Sequence, residues 1–513
     1  MASSLPGSVQ AVAIASLLVT FTYLYGKLHY RQFKQNAHLP QLPSSLLFGH
    51  LMTFNKITKQ GHTDRHPDDI LAEMRRAAGQ PPILVVDNWP VVPPMVIVST
   101  YDVAEQVPID VANTSKNERW KGVRKRFNPG FAHQHLMTLL PVIVEKSRPY
   151  LDLLDQLVQT GEAVPLDQLT TNLTFDIIGA VTMGEDMSAQ HLDPSCQAYA
   201  DDKLQGPWWM MPRVHLARRR LGIRISERLR VIVNRRWEEM KAGPHLDGMR
   251  SRSRSVLALS IQDIESLTPE IMEETCDQLK TFLFAGHDTT STTIIWAIYE
   301  LSRTPHALKA VHDELDRLFG QGAARDPAVV HAKLLAPSGD EIIRQMTYIS
   351  AVLKEALRLH PPAGSIRMSK PGSGFVVKTS QGEYNLDGNW IYLNHHLIQR
   401  DRAVFGDTAD NFVPERWLQS DGFPAGSWRP FERGPRNCIG QELANIEARV
   451  IVAMLARRFN FVKMGLGEAD LDEHGHPTLN DKAQFKVKSE LYTTIQISAK
   501  LVDGMLMKVK LAP

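Results

Sequence analysis

Phe431-Glu432-Arg433-Gly434-Pro435-Arg436-Asn437-Cys438-Ile439-Gly440 is followed at once by the helix-forming run Gln441-Glu442-Leu443-Ala444. A cysteine on a loop that opens into a helix meets unpaired backbone N–H groups and the positive end of the helix dipole, both of which stabilise a thiolate. The neighbouring residues suit a thiolate that ligates a haem iron. Gly434 and Gly440 permit an unusual turn and close approach to a flat macrocycle, Arg436 can pair with a propionate, and Phe431 can shield the sulfur from water. Several residue types at fixed offsets make the signal specific. The other two cysteines, Cys196 and Cys276, have no partners at metal-ligand or redox spacing and read as ordinary thiols. Three cysteines in 513 residues argue against a disulfide framework and for a reducing compartment.

The length would accommodate about three domains on the usual prior, yet no Gly/Ser linker, charge block or internal repeat divides the chain. One large folded body is expected. A 43% hydrophobic content supports an extensive core, and a formal charge of +2 is too small to suggest a nucleic-acid partner. Residues 1–26 carry no charged side chain, and 9–26 form a mostly apolar stretch just long enough to span a bilayer. Lys27, His29, Arg31 and Lys34 follow it, which predicts a membrane anchor at 1–26 with the body of the protein, 51–513, on the cytosolic side. No basic run precedes the apolar stretch and no small-residue cleavage site follows, as a cleaved signal would require. The sequons at Asn113 and Asn172 are then chance matches. Residues 27–50 read as a basic, proline-rich connector with Leu39-Pro40-Gln41-Leu42-Pro43 as a stiff, extended hinge.

Apolar residues at helical spacing predict helices over 137–158, 169–183, 225–240, 269–303, 305–319 and 346–359. Strand-like pieces fall at 83–87, 91–99, 374–377 and near the C-terminus. The fold class is therefore mainly α with a smaller β portion. Within the longest helix, Ala285-Gly286-His287-Asp288-Thr289-Thr290 interrupts an apolar run with polar groups. Gly286 leaves space for a small ligand against the backbone, and Thr289 can hydrogen-bond the Ala285 carbonyl and offer its hydroxyl to bound oxygen. Asp288 supplies an acid beside it.

Three further elements complete the pattern. Glu355 and Arg358 stand at i,i+3 on one helix face, and Pro414-Glu415-Arg416-Trp417 adds a second arginine. Trp120 and Arg124 stand at i,i+4, side by side on a helix. Lys121, Lys125 and Arg126 would leave a basic face on which an acidic electron donor could dock.

Phe431-x-x-Gly434-x-Arg436-x-Cys438-x-Gly440 resembles the haem-binding loop of the cytochromes P-450, and the other motifs follow in that family's order. The resemblance covers nearly the whole chain after the anchor and implies the family fold, with haem b held by Cys438. It assigns proton relay to Asp288 and Thr289, with Ala285 and Gly286 lining the oxygen site. It places Trp120, Arg124, Arg436 and Arg367 at the propionates and makes Glu355, Arg358 and Arg416 a buried network that orders the cysteine loop. Thiolate electron density favours O–O cleavage, so the implied activity is insertion of one oxygen atom from O2 into a C–H bond.

Gly465-Leu466-Gly467 and Gly372-Ser373-Gly374 are not convincing dinucleotide motifs and no phosphate loop is present, so electrons must come from outside the chain. The resemblance implies a membrane-bound NADPH-cytochrome P-450 reductase, with cytochrome b5 as a further donor, and location in the endoplasmic reticulum membrane. The anchor, the 285–290 motif and the Pro-Glu-Arg-Trp run look like those of fungal microsomal members, which points to a secondary-metabolite intermediate such as a polyketide, terpenoid or alkaloid. One stretch departs from the family pattern: only residues 108–119 separate the short helix ending at 107 from Trp120. Two other readings use the same cysteine, a haem-thiolate isomerase or dehydratase and a non-catalytic haem binder; the short segment is the best argument for the second.

Overall fold

The computed structural model describes residues 7–89, 91–107, 114–191, 211–242, 255–419, 422–494, 496 and 498–512. Cys196 and residues 108–113 of the short segment lie outside them. The principal helices are α1 (Gly7–Tyr30), α2 (Thr114–Phe127), α3 (Leu166–Met183), α4 (Met211–Lys241), α5 (Pro269–Arg303), α6 (Thr347–Leu359) and α7 (Gln441–Ala456), of which α2, α3, α5, α6 and α7 line the cavity described below. The strands are β1 (Ile83–Val86), β2 (Met95–Val98), β3 (Ala163–Pro165), β4 (Ser365–Met368), β5 (Val376–Thr379), β6 (Gly382–Asn385), β7 (Trp390–Leu393), β8 (Phe459–Lys463) and β9 (Leu506–Leu511).

Helix α5 is the axis of the body. Its start is fixed by Pro269 in the first turn and by the Thr268 side chain, which accepts from the Ile271 N–H. From Thr290 to Leu301 every residue of α5 is buried, against α3, α6 and α7. The main core fills these contacts with Ile177, Val181, Ile294, Ile298, Val352, Ile446 and Val450, among others. The helix predicted over 137–158 is instead three: His133–Thr138, Leu140–Lys146 and Arg148–Thr160, the last two with Pro141 and Pro149 in their first turns. Proline lacks the N–H that a continuous helix requires, so each proline opens a new helix.

The largest sheet has the order β1-β2-β7-β4, with β2 and β7 parallel and the outer pairs antiparallel. A second sheet runs β3-β9-β8, and β5 and β6 form a hairpin. The connector docks on the first sheet: the Val85 N–H donates to the Pro40 carbonyl at 2.8 Å and Leu39 is buried. Helix α1 extends through a wider turn at Arg31–Gln35, past the expected end of the apolar stretch. The span Ala11–Gln35 has the length and hydropathy to cross a membrane and is unburied by the protein.

Candidate haem site

The cysteine loop is closed by its own backbone. Gly434 takes φ +73°, a conformation that favours glycine, and the Asn437 N–H returns to the Gly434 carbonyl at 3.0 Å. The Cys438 N–H then donates to the Phe431 carbonyl at 2.8 Å. Burial pushes the Cys438 thiol up, while the Gly440 and Gln441 N–H groups and the Arg124 charge pull it down. These are the helix-start donors that the sequence placed there.

Cys438 lines a cavity of about 450 Å³ that is bounded across from the loop by Ala285, Gly286 and Thr289 of α5. A Cβ added to Gly440 would meet nothing nearer than the Cys438 sulfur at 3.9 Å, so the loop presents open backbone beside the thiolate. Phe431, Ile439 and Leu443 give apolar walls; Trp120, Arg124 and Arg436 bring polar groups to the cavity. A single soft thiolate, a bare glycine edge and nearby guanidinium and indole donors fit a haem with two carboxylate arms.

The expected propionate residues are brought to this region with partners of their own. The Arg436 guanidinium lies 3.8 Å from the Trp120 ring centre. Arg124 grips the loop, donating to the Asn437 carbonyl at 2.7 Å and to its side-chain oxygen at 2.8 Å. Arg367 on β4 is not a cavity-lining residue; it pairs with Glu432 at 3.3 Å. Glu432, which the sequence reading passed over, also contacts His395 at 2.9 Å and Arg429 at 3.7 Å. Burial acts to raise its carboxyl, but the His395 hydrogen bond and the Arg429, His395 and Arg367 charges outweigh this and hold it at about 2.

On α5, the Thr289 hydroxyl donates to the Ala285 carbonyl at 2.7 Å. Asp288 is absent from the cavity wall. Its carboxylate faces α3 and the C-terminal segment, paired with Lys500 at 2.7 Å and accepting from the Ser498 hydroxyl. Lys500 also reaches Asp167 of α3 at 3.5 Å. Gly286 serves helix packing: a Cβ there would stand 2.7 Å from the Ile178 side chain, so its openness is taken up by α3. His287 turns to the same side, edge-on to Phe175.

Beneath the loop, Glu355 and Arg358 are fully buried and joined by two hydrogen bonds of 2.8 and 2.9 Å. Arg416 donates to the same carboxylate at 3.0 Å. Trp417 Nε1 adds a bond at 2.9 Å, and its ring leads edge-on through Trp428 to Phe431. A packed aromatic line therefore joins the charge network to the residue whose carbonyl holds the Cys438 N–H.

The basic face is smaller than expected. Lys125 is exposed, but Lys121 pairs with Glu118, and Arg126 turns inward to Glu274 at 3.2 Å, where its charge offsets a carboxylate. An open cleft of about 620 Å³ lined by Lys121, Arg124, Lys125 and Asn437 remains beside the loop. Cys276 is buried in the core with its sulfur 3.9 Å from that of Met272, as suits an ordinary thiol.

A sequence profile described as Cytochrome P450 matches residues 97–488. "Cytochrome P450 monooxygenase acrF" of Aspergillus aculeatus is 30% identical over 78% of this chain and 88% of its own length. "Cytochrome P450 monooxygenase polC" of Polytolypa hystricis is 28% identical over 90% of this chain and 88% of its own. The crystal structure of a cytochrome P450, CYP102L1, superposes with a TM-score of 0.67 over 92% of this chain and 98% of that one, at 19% identity, which speaks to the fold. The fold, the cysteine loop and the extent of these matches lead to one conclusion: the chain belongs to the cytochrome P450 family and is a haem-thiolate monooxygenase.

Proposed function

We propose that the protein holds haem b through Cys438 and hydroxylates a small hydrophobic intermediate of fungal secondary metabolism, anchored by residues 1–26 in the endoplasmic reticulum membrane with 51–513 as the catalytic body. The observation that carries the reading is one cavity lined by both the Cys438 thiol and Thr289. Haem bound by a thiolate supplies the electron push that favours O–O cleavage. The chain supplies the rest. Trp120, Arg124, Arg436 and Arg367 would hold the haem's carboxylate arms, the last once Glu432 yields part of its pairing. Thr289, freed from the Ala285 carbonyl, presents its hydroxyl to the oxygen site. Asp288 is the acid behind it and must leave Lys500 to exchange protons with the cavity. The Glu355, Arg358 and Arg416 network keeps the loop ordered.

Electrons come from an NADPH-cytochrome P-450 reductase at the Lys121 and Lys125 cleft. Support for a substrate from secondary metabolism is the likeness to the two fungal monooxygenases. The first test is the carbon monoxide difference spectrum of the reduced, haem-loaded protein. A strongly red-shifted Soret band that Cys438→Ser abolishes is expected, followed by NADPH-dependent product from candidate polyketides, terpenoids or alkaloids with reductase. A band typical of a neutral ligand in the native protein would overturn the assignment.

A further inference from the structure

We infer that His395 is a further residue that holds a carboxylate arm of the haem, positioned for it by Glu432. The inference rests on the haem b proposed above. His395 opens the short helix His395–Ile398 that follows β7, where the Asn394 side chain fixes the turn by accepting from the Leu397 N–H at 3.0 Å. It is 2% exposed and lines the same cavity as Cys438 and Arg436. Its Nε2 is spent on Glu432 Oε1 at 2.9 Å, while its Nδ1 has no hydrogen-bond partner among the described residues. A buried ring nitrogen left unpaired on a cavity wall is costly unless something that enters the cavity meets it.

The charges around the ring say what that is. Glu105 and Glu432 pair with Arg367, Arg429 and Arg433, and Asp68, whose oxygens are held by Tyr392 and Asn394, also faces His395. Glu432 is held as a carboxylate, so the ring hydrogen facing it sits on Nε2. For Nδ1 to donate as well, the ring takes one proton from solvent and becomes a cation. Four cations then face three carboxylates, and an anionic arm supplies the fourth. Arg367 does not line the cavity and meets Glu432, which does. Glu432 itself stands at φ +56°, in the left-handed region that side chains other than glycine's rarely enter. Such strain persists only where the surroundings impose it, and here it keeps the carboxylate within reach of His395, Arg367 and Arg429.

The test uses the full-length protein loaded either with haem b or with its dimethyl ester, in which both arms are masked. His395→Phe should speed loss of haem b to an apo-acceptor protein about tenfold, the scale of one hydrogen bond between charged partners. The same substitution should leave loss of the dimethyl ester at the native rate, because no charged arm is there to release. His395→Asn keeps a donor where Nδ1 stood, so its loss of haem b should fall between the two. The asparagine variant carries the comparison if the phenylalanine variant folds poorly. Glu432→Gln should shift the resonance Raman band of the propionate bend in the same direction as His395→Phe, with the thiolate carbon monoxide band kept. Loss of haem b at the native rate in both His395 variants, or equal acceleration for haem b and its ester, would overturn the proposal. A pyridine haemochrome other than that of haem b, from the cofactor extracted from the native protein, would sink the cofactor reading instead, and the comparison made with added haem b would stand apart from it.

Discussion

Glu355→Gln tests whether the charge network sets the state of the axial loop. Three donors converge on Glu355 Oε1, from Arg358 Nη2, Val413 N and Arg416 Nε, and two on Oε2, from Arg358 Nε and Trp417 Nε1. Glutamine leaves one acceptor oxygen. Even with that oxygen on the three-donor side, the amide N–H groups face Arg358 Nε and the Trp417 indole, so two bonds are lost and two donors oppose donors. At about 1.5–3 kcal/mol for a hydrogen bond to a charged group, the loss is roughly 3–6 kcal/mol. Two buried guanidinium groups also lose their shared counter-charge, and breaking such a pair costs about 3–5 kcal/mol on its own scale. The contributions overlap, because they count the same contacts twice, and about 4 kcal/mol is the expected sum. Against a typical total stability of about 5–15 kcal/mol, the variant folds but is weakened. The assay is urea unfolding followed by Soret absorbance, with the carbon monoxide spectrum at each point. Since Trp417, Trp428 and Phe431 pack edge-on in a line toward the loop, part of the thiolate band should convert to the neutral-ligand form before global unfolding. A change under about 1 kcal/mol with an intact band would refute the idea that this network braces the loop.

Thr289→Ala should leave haem uptake intact but uncouple turnover, with NADPH consumed and peroxide formed; an unchanged product yield per NADPH would remove Thr289 from proton delivery. Glu432 is held at about 2, below its unfolded value near 4.5. Its contribution to stability is therefore full above pH 4.5 and disappears as pH falls toward 2, and Glu432→Gln should flatten acid unfolding across that window. Arg124→Gln should loosen the Asn437 clamp and speed haem loss severalfold, as read by transfer of haem to an apo-acceptor protein; unaltered loss would place Arg124 outside loop retention. Removing residues 1–35 should release the protein from microsomal membranes into the supernatant while preserving the carbon monoxide spectrum of the remainder.

Local chemistry made parts of this molecule readable in advance. The 269–303 and 305–319 helices have the expected bounds because Thr268, Pro269 and Pro305 mark their starts. The thiolate loop was legible because its requirements are satisfied within ten consecutive residues. Strands β4, β6 and β7 were not, since each is four residues long and partly exposed, leaving little periodicity to detect. Lys500 could not be matched to Asp288 because chain folding alone brings those distant positions together. Glu432 stood inside the decisive motif, yet its pairing with Arg367 and His395 depends on two other elements.

The close approach of α3 and α5 at Gly286 has a practical bearing on laboratory evolution of this enzyme. Any side chain introduced there would meet the Ile178 side chain at 2.7 Å, so Ile178 must turn aside or the contact between the two helices must loosen. Positions 286 and 178 are coupled, and a library that randomises 286 alone would mostly sample strained packing. Gln278 and Thr281 lie on the same helix, also line the cavity and leave that interlock untouched. Selectivity can be sought at those positions, with 178 and 286 varied only as a pair.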